Sequence, residues 1–417
     1  MRQILDLHIH SKYSRACSPQ LTLKNIDSTC RTKGVDIVAT GDFTFPDWFM
    51  SIKEELEEVD QSGLYRLKSS KDEKIKFILS TEFALIYKDN DKVRRIHIVL
   101  HAPNLKAVEE LNSCLDKKYN IRSDGRPILG IKTPDLVKLS LSIHPKFLVY
   151  PAHAWTPWFS VFGSKSGFNS LEECFGEQAE NIYALETGLS SDPEMNWRLS
   201  ALDKLTIISN SDAHSLANIG REANVMELDQ ITYEEIYNIL EKKETKKIKF
   251  TIEFYPEEGM YHYDGHRDCG IRFKPEETKA HKGICPKCKK SLTVGVMSRV
   301  EELADRKQGF RPVNSPGFVK LVELDKIIAE AISIKTRNSK RVQREYNNLI
   351  VKLGSELEIL LNIKINKIRE ASTSEIAEGV KRVRRGQLKI DAGFDGQYGT
   401  VNIFNGNKND EFQAKLF

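Results

Sequence analysis

The feature that most constrains this 417-residue chain is a series of short apolar runs, each ending in a histidine or a carboxylate. The first, ILDLHIH, carries Asp6, His8 and His10. Residues i and i+2 of a strand point the same way, so its two imidazoles share one face. Later runs repeat the pattern. DIVATGD ends in Asp42, KFILSTE in Glu82, LVYPAH in His153 and ALE in Glu186. RIHIVLH carries His97 and ends in His101, and IISNSDAH ends in Asp212 and His214. Helix-like segments fall between the runs, at 22–33, 47–59, 104–117, 134–142, 192–203 and 232–242. Start signals such as Asn104 and Thr133-Pro134 mark several of them. This alternation predicts an α/β, barrel-like domain over residues 1–255. Barrel strands converge at their C-terminal ends, so groups far apart in sequence would meet there. Imidazole with carboxylate is the ligand chemistry of zinc, manganese or iron, and Glu82 could bridge two ions. His101 and Glu186, taken singly, read as hydrogen-bonded core residues.

Residues 256–314 differ in character. H-x2-C, fifteen residues and C-x2-C bring together His266, Cys269, Cys285 and Cys288. Four such ligands leave no open position, which is the pattern of one structural zinc in a small ribbon-like insert. His262, Asp264 and His281 are alternatives to His266. The other cysteines, Cys17, Cys30, Cys114 and Cys174, are scattered, which suits a reducing, cytoplasmic setting. Residues 315–417 read as a helical, basic C-terminal domain with a Gly-rich tail, DGQYG, and a frayed end. No apolar stretch approaches the roughly 18 residues of a membrane helix, and no secretory signal opens the chain.

Net charge is only +4, so its distribution matters more than its sum. Basic residues gather at Lys165, along 335–345, and at Lys381, Arg382, Arg384 and Arg385. Such runs either contact phosphates or form solvated helix faces. Trp48, Trp155, Trp158, Phe159 and Phe162 lie near the strand ends, where they could stack on a base turned out of a duplex. The tail shows no clear clamp-binding motif, and nothing indicates an oligomer.

The HxH of the first run, the Asp of the second, STE, the histidine of RIHIVLHAPNL, PAH and NSDAH together resemble the polymerase and histidinol phosphatase (PHP) domain. The resemblance implies a distorted (β/α)7 barrel and a metal-dependent phosphoesterase. It implies His8, His10, Glu82 and Asp212 around one ion, and Glu82, His97 and His153 around another. GDFTFPDW, PAHAWTPW, ETGLSSDPEM, the knuckle and DGQYG are similar to the endonuclease Q family within that group. That likeness implies a DNA repair endonuclease that cuts 5′ of deaminated bases (deoxyinosine, deoxyuridine) or abasic sites, leaving 3′-hydroxyl and 5′-phosphate. Its partner would be damaged double- or single-stranded DNA, with a sliding clamp as an open second partner and a nucleoid-associated location. Two departures stand out. Phe43 and Cys17 occupy positions that hold a third ion in many PHP domains, so two or three divalent ions (Zn, Mn or Mg) are expected. Asp42 and His214 would hold a third ion or, with Asp212, serve catalysis. The alternatives are a small-molecule phosphatase such as a histidinol-phosphate hydrolase, which has no need of residues 256–417, and a non-catalytic DNA-binding module.

Overall fold

A computed structural model describes residues 1–404; the expected frayed end, the part of the tail without a clear clamp-binding motif, lies outside the described residues. The fold is a distorted (β/α)7 barrel with a small cysteine-bearing insert and a helical C-terminal region. Strands Arg2–Asp6, Ile37–Ala39 and Lys76–Ile78 run parallel and side by side. Ser80–Asp89, Lys92–His101 and Leu148–Pro151 form a second, antiparallel group. Ala184–Glu186 and Thr206–Ile208 pair in parallel, and a bridge from Ile9 to Ala213 returns to the first strand. The wall of the barrel is thus divided among three sheets, which is its distortion. Leu5, Leu7, Ile37, Val38, Phe77, Ile98 and Val149 fill the interior completely.

Helix starts follow the sequence signals. Thr22 accepts from the Asn25 amide at the head of Leu23–Lys33, and Asn104 accepts from Ala107 at the head of Leu105–Asp116. Such caps satisfy amides that the helix itself leaves unbonded. Three expected elements divide. KIKFILSTEFALI becomes two strands, because at Leu79 the chain passes from the first sheet to the second. The segment 47–59 is the helix Pro46–Glu55 followed by the strand Leu56–Glu58. The segment 192–203 breaks into Pro193–Asn196 and a 3-10 turn, Ser200–Lys204.

The region after 315 opens on a strand rather than a helix. Gly317–Lys320 pairs in parallel with Ile248–Glu253, so it extends the largest sheet. Five helices follow, Leu324–Ala331, Lys340–Leu353, Glu356–Leu361, Ile365–Ala371 and Ser374–Arg384. Buried Glu356 ties them to the barrel. It accepts from the Leu324 amide and the Tyr346 hydroxyl and pairs with Lys33 at 2.8 Å. No helix among the described residues is long and apolar enough to cross a membrane.

Candidate metal centre and adjoining cavity

His8, His10 and Asp212, just past strand ends, meet Glu82, the third residue of Ser80–Asp89, and beside them Glu82 meets His153 and His97, which sits in the middle of Lys92–His101. In the first set, His10 Nε2 lies 3.3 Å from Glu82 Oε2 and 3.1 Å from Asp212 Oδ1. His8 Nε2 lies 3.7 Å from both of those oxygens. In the second, His97 Nδ1, His153 Nε2 and Glu82 Oε1 are 2.8, 3.1 and 3.3 Å apart. Two ligands of one tetrahedral ion with bonds of ~2.0 Å lie roughly 3.3 Å apart, so these spacings are those of ligands facing a shared centre. His8 Nε2 and Glu82 Oε1 are buried with no hydrogen-bond partner. The 2.8 Å approach of His97 to Glu82 Oε1 is therefore close without being a hydrogen bond. Orphaned lone pairs of this kind, deep in a protein, fit a metal site. The two oxygens of Glu82 belong one to each set, which fits a bridging carboxylate.

A second layer fixes the imidazoles. Glu186 lies 3.0 Å from His8 Nδ1 and accepts the His153 amide. Thr156 Oγ1 lies 3.1 Å from His153 Nδ1. Such partners set the ring tautomer and its aim. Asp42, expected among the catalytic groups or as a third-ion ligand, belongs to this layer. Its Oδ1 faces His10 Nδ1 at 3.1 Å, and its Oδ2 accepts from the Ser11 amide and the Ser11 and Ser14 hydroxyls. Both of its oxygens are engaged, an arrangement that suits orienting His10. Asp42, His153 and Asp212 all have left-handed backbones, at φ 48°, 28° and 45°. Non-glycine residues held there cluster at functional sites, and here the turn aims each side chain off its strand end.

Electrostatics follow from this crowding. Burial opposes charge on Glu82, but His97, Arg126 and His8 hold its carboxyl well below the usual range. Burial likewise opposes charge on Asp212, which the surrounding histidines also hold low. Burial and the charges of Asp42 and Asp212 push Cys17 up to about 12, so it stays a thiol. His214 Nδ1 lies 2.8 Å from the Asp212 carbonyl, which can only accept. The ring must donate from Nδ1, leaving Nε2 as its acceptor. Burial lowers its pKa, which favours the neutral ring. His101 is a core residue bonded to Tyr150.

Beside the second ligand set lies a cavity of about 640 Å³ lined by His97, His153, Trp158, Phe159, Tyr261 and Tyr398, among others. Trp158 is 38% exposed and meets Tyr261 edge-on at 5.4 Å. Trp48 and Trp155, expected at this mouth, are each 1% exposed. Their indole N–H groups donate to Thr40 and Gly41 carbonyls and to Asn196, respectively, so they are core. Phe162 packs on Trp155 in that core.

His266, Cys269, Cys285 and Cys288 also converge, with Cys288 Sγ 3.8 Å from His266 Nε2. The three alternatives lie outside this cluster. His262 lines the cavity, Asp264 accepts from Gly295 and Ser298, and His281 stacks on Phe273. Of the basic residues, Lys165, Lys335, Lys340, Arg341, Arg344 and Arg385 are exposed. Lys381 and Arg382 pair with Glu378, and Arg384 donates to the carbonyls of Ile359, Leu360 and Ile363. Sequence spacing does not single out Arg126, whose Nη1 donates to Glu82 Oε2 at 3.0 Å, or Arg221, which grips the Ser211 carbonyl. Each lies in a loop that no strand-end pattern marks.

Comparison with known proteins places the chain. The family described as the MJ0043 C-terminal domain matches residues 323–387. The uncharacterized protein MJ0043 of Methanocaldococcus jannaschii is 34% identical over 260 residues, which make up 60% of this chain but only 31% of that one. The lesion-specific endonuclease PfuEndoQ of Pyrococcus furiosus superposes with a TM-score of 0.85 at 30% identity, covering 97% of this chain and 96% of that chain. Endonuclease Q in complex with a 27-mer duplex carrying an abasic lesion gives a TM-score of 0.84 at 30% identity, covering 99% of each chain. Such identity across nearly the whole of both chains means that this chain belongs to the endonuclease Q family.

Proposed function

We propose that the chain is a DNA repair endonuclease that uses two divalent ions in the barrel. It would hydrolyse the phosphodiester 5′ of a deaminated base (deoxyinosine or deoxyuridine) or an abasic site, leaving 3′-hydroxyl and 5′-phosphate. The observation that carries this reading is the pair of ligand sets joined through Glu82 at the edge of an aromatic cavity. When bound, divalent ions there would lower the pKa of a shared water and neutralise charge developing on the phosphate. His8, His10, Glu82 and Asp212 would hold one ion, and Glu82, His97 and His153 the other; zinc, manganese and magnesium are the candidates. His214 Nε2, the acceptor of a neutral and partly exposed ring, is suited to take the proton of the attacking water. Trp158, Phe159 and Tyr261 suit a flipped, unpaired nucleotide, because an aromatic face stacks on any base.

In this reading residues 1–255 carry the chemistry, 256–314 are a zinc knuckle, and 315–417 hold duplex with Lys165 and Arg385. His266, Cys269, Cys285 and Cys288 would bind a structural zinc. A sliding clamp and a nucleoid location belong to the same proposal. The test offers 5′-labelled duplexes with one deoxyinosine, deoxyuridine or abasic site, with manganese, magnesium or zinc. A single nick on the 5′ side of the lesion is expected. Intact duplexes together with hydrolysis of histidinol phosphate would overturn the proposal in favour of a small-molecule phosphatase.

A further inference from the structure

Arg126 is the one arginine or lysine among the described residues that pairs with Glu82, the carboxylate shared by the two ligand sets. Its surroundings are built to hold it. Gly125 donates its amide to the Tyr13 carbonyl at 3.0 Å and receives Thr44 Oγ1 at 3.5 Å. A Cβ at Gly125 would stand 2.5 Å from Asp42 Oδ2 and 2.5 Å from Ser14 Oγ. Only a glycine lets this loop lie so close to the residues that orient His10. Asp124 accepts the Arg126 amide at 2.9 Å and the Arg15 amide at 3.3 Å. The loop is thus pinned on both sides, and it delivers the guanidinium to the metal centre.

The destination is informative. The charge of Arg126 acts on Cys17, Asp212 and His214 as well as Glu82. Cys17 and Phe43 are the two positions where many PHP domains keep ligands for a third ion. Phe43 is fully buried and offers no donor atom, and both oxygens of Asp42 are engaged, so of Asp42 and His214 only His214 keeps a free ring nitrogen, too few ligands to hold a third ion. A guanidinium carries fixed positive charge at any working pH, and its fork suits phosphate oxygens. Of its five N–H donors, one is engaged by Glu82, and the side chain is 21% exposed.

We infer that Arg126 takes the place of the third metal ion, and that its remaining donors bind a non-bridging oxygen of the scissile phosphate. The inference rests on the endonuclease reading for its substrate, and its chemistry is that of phosphodiester hydrolysis in general. The water oxygen bonds to phosphorus with loss of a proton. The P–O3′ bond breaks, and O3′ leaves with the electron pair and takes up a proton. Arg126 bears the charge that gathers on the oxygen it holds and exchanges no proton.

The test compares wild type with Arg126→Ala and with Arg126→Gln, which keeps a donor toward Glu82 if the smaller residue unsettles the fold. Single-turnover cleavage of an abasic duplex should slow by about 10²-fold or more in both, the usual cost of one donor to a developing oxyanion. Guanidinium or methylguanidine ions should restore part of the rate to Arg126→Ala and none to wild type. Elemental analysis of chains loaded with manganese and zinc should give two barrel ions per chain in all three proteins. Three barrel ions in wild type, an unchanged rate in the variants, or metal lost in step with rate would each overturn the inference. The same rates measured on bis(p-nitrophenyl) phosphate separate it from the endonuclease reading. If wild type nicks no lesion but hydrolyses this diester, the reading fails while the rescue by guanidinium still decides the role of Arg126.

Discussion

At the scale of single residues the candidate metal centre divides into groups that would face an ion and groups that aim them. Asp212 and Asp42 are both carboxylates within reach of His10, yet only Asp212 presents an oxygen to the ligand set. Asp212→Asn is expected to slow cleavage by about 10²- to 10³-fold or more while duplex affinity, read by fluorescence anisotropy, stays within a few-fold. Asp42→Asn should instead weaken metal affinity by about 10- to 100-fold, measured by titration with a fluorescent chelator. Equal and simultaneous loss of DNA binding in Asp212→Asn would contradict its role. The converging groups are legible because each lies in or just after a recognisable apolar run, although Glu82 and His97 sit inside strands and not at their ends. The split between Asp42 and Asp212 was not, because it depends on Ser11 and Ser14 lying under one and not the other. Arg126 was not legible either, since a loop arginine carries no periodicity.

Deeper in the barrel, Glu253 is fully buried beside Glu222. Burial raises Glu253 to about 8; hydrogen bonds from Thr251 and Thr187 oppose the rise, and the charge of Asp192 adds to it. A carboxyl with a raised folded-state pKa favours the neutral form. Its contribution to stability is complete below the unfolded value near 4.5 and is lost as pH climbs toward 8. Wild type should therefore lose stability across that window, by up to about 1.4 kcal/mol per pH unit for one proton. Glu253→Gln should flatten the slope. Urea midpoints at several pH values check this, and parallel slopes for the two proteins would refute it.

At the scale of elements, the insert has little core of its own. The hairpin Asp264–His266 with Ile271–Phe273 and the short helix Pro275–Ala280 bury little apolar surface of their own. Cys285, in contrast, is wholly buried beside its three companions. Small segments of this kind need a staple. Cys285→Ser should lower the melting temperature by several degrees and release one zinc per chain, with barrel metal content unchanged. An unaltered melting curve would argue against a structural zinc. The knuckle was readable from spacing alone. The basic run at 381–385 was only half readable, because a helix face hides which cations are already used. Arg384 caps three carbonyls at the end of Glu356–Leu361, while Arg385 is left to solvent. Sequence periodicity cannot separate the two, because the partner carbonyls come from another helix.

At the scale of the whole molecule, the cavity beside the metal centre is shared property. The barrel supplies His97, His153 and Trp158, the segment after it supplies Met260, Tyr261 and His262, and the C-terminal tail supplies Tyr398 and Gly399. The glycines of that tail serve close packing. Gly393 donates to the Glu257 carbonyl and Gly399 to that of Glu258. A Cβ on Gly399 would stand 2.1 Å from the Glu257 carbonyl oxygen and 2.6 Å from that of Asp391, and backbone cannot yield as a flexible side chain can. Gly399→Ala must therefore lift the tail from residues 257–258 and carry Tyr398 with it. No ligand of the barrel ions touches this contact, so metal content should stay at the wild-type value. The far wall of the cavity would move, and with it the surface proposed to meet an unpaired nucleotide. We expect lesion-duplex affinity to fall several-fold and cleavage at sub-saturating enzyme to fall with it. The single-turnover rate at saturation should change much less, because the groups around Glu82 are undisturbed. Anisotropy and single-turnover assays on one abasic duplex measure both quantities. A variant that binds as wild type would show that the tail is packing alone. One that loses its barrel metals would show that tail and metal centre are coupled through the fold.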